Sequence, residues 1–167
     1  MKKSAVFLDR DGVINVDKNY VYRIKDFEWI EDAMEAIKYI KENNFYVFVV
    51  SNQSGISRGF YNENDVNILH KYINNELAKL HTSIDEFYYS PYHPDVKNKK
   101  YDRYKNLRKP NTGMLENAFN SWSIDLSGSF LVGDKQTDIK CAENFGIKGY
   151  LYKSGSLLNF IRKIIGH

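Results

Sequence analysis

Four short stretches of this chain carry polar residues where polar residues are costly. In AVFLDRDGVIN, Ala5 to Asn15, an apolar run ends abruptly in Asp9 and Asp11, with Gly12 directly behind. Carboxylates at the mouth of a buried strand need something to offset them. VVSNQSG ends a second apolar run in Ser51 and Asn52, followed by Gln53 and Ser54. LVGDKQTD ends a third in Asp134, Lys135 and Asp138, and NLRKPNTG sets Arg108 and Lys109 in a loop before a short helical pattern. Clustered carboxylates repel, so a hard divalent cation is needed among them. Oxygen donors without clustered Cys or His favour Mg²⁺, which commonly bridges carboxylate to substrate phosphate. Lysine and amide donors would hold the remaining phosphate oxygens. A carboxylate nucleophile splits slow phosphate-ester hydrolysis into two steps. A second carboxylate two residues on, pointing to the same side of an extended chain, can protonate the leaving oxygen and later activate water.

The elements that would position these residues alternate along the whole chain. Apolar runs at Ala5–Asp9, Tyr46–Ser51, Phe87–Ser90, Ser129–Asp134 and Gly149–Tyr152 read as strands. Between them fall helical stripes. Ala33, Met34, Ile37 and Ile40 form one. Val66, Leu69, Ile73, Leu77 and Leu80 form another, with Asn62 or Asn64 as cap. Met114–Phe119, the face of Ile139, Ala142 and Phe145 ended by Gly146, and Leu157–Ile165 complete the set. Strands apolar throughout imply a parallel sheet covered on both faces. The fold expected is therefore α/β, a doubly wound three-layer α/β/α sandwich with a mainly parallel sheet. Residues 1–167 form one domain with no separate cap domain, and the ligand lies beyond the strands' carboxyl ends.

Composition narrows the setting. The 167 residues carry a formal charge of +3, too small alone to imply nucleic acid. The charge is uneven, because Lys97–Lys109 holds seven basic residues against one acid, Asp102. That stretch reads as a solvated loop or as an attractor for a polyanionic substrate. No apolar run is long enough to span a membrane, and the start shows no signal-peptide pattern. The single cysteine, Cys141, falls among core positions and leaves no partner for an internal disulfide. A cytoplasmic monomer acting without membrane or nucleic acid is the expectation.

FLDRDGVIN, SNQSG, RKPNTGM and VGDKQTD, in this order and spacing, resemble the four motifs of the haloacid dehalogenase superfamily phosphatases. NVDKNYVYRIKDFEW and SNQSGISRGF resemble one branch more closely, that of the D-glycero-D-manno-heptose 1,7-bisphosphate 7-phosphatases and the histidinol-phosphate phosphatases. The resemblance implies Asp9 as nucleophile and Asp11 as general acid/base. It implies Mg²⁺ on Asp9, the Asp11 main-chain carbonyl and Asp134. Ser51 and Asn52 would donate to the phosphoryl group, and Lys109 would stabilise its charge. Arg108 would recognise the substrate, Lys135 would sit beside metal and phosphate, and Asp138 would brace the site. Asp17, Lys18, Asn19, Tyr20, Gln53 and Ser54 would touch the sugar.

The chain departs from the branch at the loop where many members bind zinc through Cys-Pro-His-His-Pro and Cys-x-Cys. Here those ligand positions are Ser90, Tyr92, Lys105 and Leu107, and His93 alone is no site. No structural zinc is expected; packing of Tyr92, Tyr101, Tyr104 and Leu107 must hold the loop instead. The resemblance favours removal of the 7-phosphate of heptose 1,7-bisphosphate, a step towards nucleotide-activated heptose for surface glycans. Histidinol-phosphate hydrolysis, a nucleic-acid 3′-end phosphatase and a phospho-acceptor signalling domain remain open alternatives.

Overall fold

The computed structural model describes residues 1–166. Its five strands are β1 (Lys3–Leu8), β2 (Tyr46–Asn52), β3 (Glu86–Ser90), β4 (Ile124–Gly133) and β5 (Lys148–Leu151). They form one parallel sheet in the order β3-β2-β1-β4-β5. The helices are α1 (Ala33–Glu42), α2 (Glu63–Ala78), α3 (Gly113–Ser121), α4 (Gln136–Phe145) and α5 (Leu157–Ile165). Successive strand residues point to opposite faces. Val6, Leu8, Val47 and Val49 therefore pack with α1, α2 and α5. Ala5, Phe7, Phe48 and Val50 pack with Met114, Leu115 and Ala118 of α3 and with Cys141 and Ala142 of α4. This is the expected three-layer sandwich, apolar on both sides of the sheet.

The chain winds outward from β1 to β2 and β3, then returns to lay β4 on the other side of β1. Beyond the carboxyl ends of β1 and β4 lies the point where the winding reverses, the usual ligand crevice of such sheets. Local chemistry agrees with these boundaries. Asn62 caps α2 by accepting from the Asp65 amide at 2.9 Å, while the Asp65 carboxylate accepts from the Asn62 amide. Gly146 closes α4 in the left-handed conformation.

Two features go beyond the periodicity. Strand β4 begins at Ile124 rather than Ser129, because a register shift lets the polar stretch Asp125–Gly128 run beside β1. Ser129 Oγ staples that irregularity, accepting from the Ala5 amide at 2.9 Å and donating to the Asp125 carbonyl at 2.5 Å. The loop leading to Arg108 contains a 3₁₀ turn over Asp102–Leu107. Tyr101 and Tyr104 pack there with Ile56, Tyr61 and Val66, and Leu107 packs against the α3 face of the sheet. Three of the four residues expected to hold this loop are thus in apolar clusters. Tyr92 instead offers its carbonyl to Arg108 Nη1 at 3.3 Å.

Candidate active site

The floor of the crevice is a set of buried charges. Asp9 follows β1 directly, its amide bonded to the Val132 carbonyl of β4 at 3.0 Å. Lys109 reaches it from the far loop: Nζ donates to Asp9 Oδ1 at 2.9 Å, Asp138 Oδ1 at 2.6 Å and the Val50 carbonyl at 2.7 Å. The Asn52 side chain holds the Lys109 backbone by both its amide and its carbonyl. The two motifs are therefore tied to each other before any ligand arrives. Asp138 is 1% exposed and uses its other oxygen to accept from the Lys135 amide at 3.1 Å, the bracing role expected of it.

Burial pushes the Asp9 carboxyl well above its ordinary range; Asp138 and Asp11 add to the rise and the Lys109 ammonium opposes it. Burial disfavours charge on Lys109, but the Asp9 and Asp138 carboxylates outweigh it and hold the ammonium above its usual range. Asp134 completes the cluster. Burial also raises its pKa, and its Oδ1 is buried with no hydrogen-bond partner. Oxygens of Asp9, Asp134 and Asp138 lie within 4.8 Å of one another. Gly12, at φ +90, leaves the space above Asp134 open, since a Cβ there would collide with its carboxylate. Three carboxylates with a single ammonium among them, and one oxygen of Asp134 without a partner, fit a hard dication such as Mg²⁺.

Asp11 is wired differently. Its Oδ1 accepts from Arg10 Nη2 and Asn15 Nδ2, each at 3.0 Å, and its Oδ2 from Gln53 Nε2 at 2.9 Å. Burial would raise its pKa, but the Arg10 guanidinium, Asn15 and Gln53 outweigh burial and hold it below the ordinary value. Tyr61 donates to Gln53 Oε1 at 2.5 Å and so fixes the amide that faces Asp11.

Above this floor opens a cavity of about 380 Å³. Of the residues expected from sequence, Asp9, Asp11, Asn52, Gln53, Ser54, Lys109 and Asp138 line its base. Asp17, Asn19, Tyr20, Arg108 and Lys135 line its sides. Three expected residues do not line it. Asp134 lies in the carboxylate cluster beside Gly12. Ser51 is fully buried beneath the floor, its Oγ accepting from Gln53 Nε2 at 2.6 Å. Lys18 turns outward to Glu28 at 2.8 Å and borders a neighbouring surface cavity. Four lining residues were not foreseen: Arg58, Tyr61, His93 and Thr137. The one available signal for Arg58 was a cation a few residues past SNQSG, and His93 read as an ordinary loop histidine. Arg58, His93 and Arg108 form one wall, whose positive charge comes from the two arginines. Burial lowers the pKa of Arg108 and of His93, and the neighbouring arginines lower both further. Of the seven basic residues between Lys97 and Lys109, Arg108 and Lys109 alone line the cavity.

A parallel sheet with an aspartate pair after its central strand, and lysine and paired aspartates at the flanking ends, defines the haloacid dehalogenase-like class of hydrolases. A family model described as "HAD-hyrolase-like" matches residues 106–158. The D-glycero-beta-D-manno-heptose-1,7-bisphosphate 7-phosphatase of Photorhabdus laumondii is 41% identical over 138 residues, covering 83% of this chain and 73% of that protein. The D-glycero-alpha-D-manno-heptose-1,7-bisphosphate 7-phosphatase of Campylobacter jejuni is 40% identical over 147 residues, covering 88% and 80%. The solved D,D-heptose 1,7-bisphosphate phosphatase of B. bronchiseptica, complexed with magnesium and phosphate, superposes with a TM-score of 0.85 at 24% identity. That match covers 97% of this chain and 98% of that one. The chain belongs to the D-glycero-D-manno-heptose-1,7-bisphosphate 7-phosphatase family.

Proposed function

We propose that this chain removes the 7-phosphate of D-glycero-D-manno-heptose 1,7-bisphosphate, releasing inorganic phosphate and heptose 1-phosphate. The observation that carries the reading is the pairing of two unlike ends in one cavity: a carboxylate and lysine floor, and a wall of Arg58, His93 and Arg108. A bisphosphate has one phosphate for each.

Asp9 attacks the 7-phosphorus, and the phosphorus–oxygen bond to the sugar breaks. Asp11, ionised at rest, takes up a proton as the anionic phosphate arrives beside it and gives that proton to the departing 7-oxygen. The aspartyl-phosphate is then hydrolysed by water, whose proton Asp11 takes back. Lys109, locked to Asp9, orients the nucleophile and faces the phosphoryl oxygens with positive charge. Asn52 lines the cavity where an amide donor meets the phosphoryl group, while Gln53, whose amide donates to Asp11 and to the buried Ser51, holds the acid/base carboxylate in place. Asp9, the Asp11 main-chain carbonyl and Asp134 would hold Mg²⁺, which supplies positive charge to the carboxylates and the phosphoryl oxygens. Asp17, Asn19, Tyr20, Ser54 and Lys135 flank the sugar. A monomer acting as one domain on a small substrate is part of the proposal. Among the described residues no helix is long and apolar enough to cross a membrane. A cytoplasmic site of action is part of the same proposal.

Histidinol phosphate, a monophosphate bearing a cationic amine, would meet like charge at the arginine wall. The test is Mg²⁺-dependent phosphate release from both anomers of heptose 1,7-bisphosphate and from histidinol phosphate, with Asp9→Asn as control. A kcat/KM at least about tenfold higher for a heptose anomer, lost in the variant, is expected. Equal or faster release from histidinol phosphate would overturn the substrate assignment.

A further inference from the structure

We propose that His70, on α2 and outside the cavity, is a positioning residue for the acid/base carboxylate, acting through Arg10. The inference rests on the role given above to Asp11. Arg10 is wholly buried, although it stands between the two reactive aspartates in sequence. A guanidinium has only donors, is always charged, and needs acceptors wherever it is enclosed. Its Nη2 finds them in Asp11, at 3.0 and 3.2 Å, and in the Val21 carbonyl at 2.6 Å. Its Nε has none. Its Nη1 meets a single group, His70 Nε2 at 3.3 Å.

Because Arg10 cannot accept, His70 Nε2 must offer its lone pair, which fixes the neutral ring with its proton on Nδ1. The ring is 5% exposed and lies flat on Phe87, with centroids 4.4 Å apart and planes 15° apart. Tyr89 closes its other approach, with centroids 6.1 Å apart. Packing on β3 thus fixes an imidazole on α2, and the imidazole fixes the far end of the guanidinium. Only the near end, Nη2, is left for Asp11. Without an acceptor at Nη1, the guanidinium would turn to present both nitrogens to the carboxylate, the arrangement arginine and carboxylate prefer. Asp11 would then be drawn towards Arg10 and away from the leaving oxygen.

The test compares H70Q, whose amide oxygen falls where Nε2 lies, with H70L, which has no acceptor. Expected for H70L is a kcat on heptose 1,7-bisphosphate about tenfold below wild type, a partial loss of general acid catalysis, with KM changed less than about twofold. The pre-steady-state burst with p-nitrophenyl phosphate should be unchanged, since its phenolate leaves without a proton. H70Q should recover kcat to within about threefold. Should H70L fail to fold, H70N takes its place: its shorter amide stays polar but cannot reach Nη1, and the same split is expected. Wild-type turnover in H70L or H70N, equal losses on both substrates, or an H70Q as slow as H70L would each overturn the proposal. Asp11→Ala separates the two levels. If it turns over the sugar bisphosphate normally, the role of Asp11 fails; if it is inactive while H70L is normal, only the role of His70 fails.

Discussion

The floor and the wall of the cavity are built by different means. The floor is set on the ends of β1, β2 and β4 and interlocked by one ammonium: Lys109 alone joins Asp9, Asp138 and the β2 backbone. The wall comes from loops. Arg58 is exposed, Arg108 makes one 3.3 Å bond to a backbone carbonyl, and Asn19 and Tyr20 carry left-handed φ values of 59° and 60°. A rigid floor suits a reaction common to all phosphomonoesters, in which misplacement is costly in rate. A wall of loosely held cations suits recognition of whatever the rest of the substrate carries.

This contrast is open to direct attack, beginning where the effect should be largest. Asp9→Asn should abolish turnover, by about 10⁴-fold or more, as removal of a covalent nucleophile does. Lys109→Met should lose activity and also destabilise the fold by roughly 3–5 kcal/mol, because it strands two buried carboxylates; urea denaturation measures this. Asp134→Asn should be inactive yet leave the metal-free protein at least as heat-stable as wild type. The sign follows from its raised pKa: above the unfolded carboxylate value, ionising this group costs the folded state, and the amide removes that cost. The same variant should lose the Mg²⁺-induced rise in Tm; a rise equal to wild type would break the assignment of the floor.

Changes to the wall should be smaller and of another kind. Arg108→Ala and Arg58→Ala should raise KM for the bisphosphate about 10–100-fold, the size of one or two charge-assisted hydrogen bonds, with kcat little changed. A monophosphate of the same sugar should show no such rise; an equal rise would erase the distinction between wall and floor. The smallest effect expected is on pH. Burial, reinforced by Arg10, holds His70 well below its ordinary value of 6.5. The unfolded chain therefore binds that proton first, and stability present above pH 6.5 declines as pH falls beneath it. His70→Gln should remove up to about 1.4 kcal/mol per pH unit of that decline.

The floor was legible in the sequence because Asp9, Asn52 and Asp134 end apolar runs, where a polar residue is conspicuous; Lys109, in a basic loop, was legible only through the resemblance of RKPNTGM to a family motif. The parallel, doubly covered sheet was legible for the same reason: Val47–Val50 and Leu131–Val132 leave no polar face. The wall was only half legible. A run of lysines before Arg108 suggested where positive charge would gather, yet most of them face solvent, and Arg58 arrives from a different loop. Spacing along a chain does not encode how two loops meet. Arg10 and His70 were invisible for another reason. Each looks like a surface residue by type, and sixty positions separate them. The early start of β4 escaped because its polar first half pairs through backbone groups and the Ser129 staple rather than through apolar side chains.

The loop that carries Arg108 is closed by Tyr101 and Tyr104 packed with Ile56 and Val66. Aromatic packing has no thiolate to oxidise and no ion to surrender. The sole sulfhydryl of the chain, Cys141, is 1% exposed on the buried face of α4, with burial pushing its pKa up to about 11. Peroxide therefore finds no thiol in the recognition loop, and substrate recognition should survive oxidant treatment that would disable a loop held by thiolates.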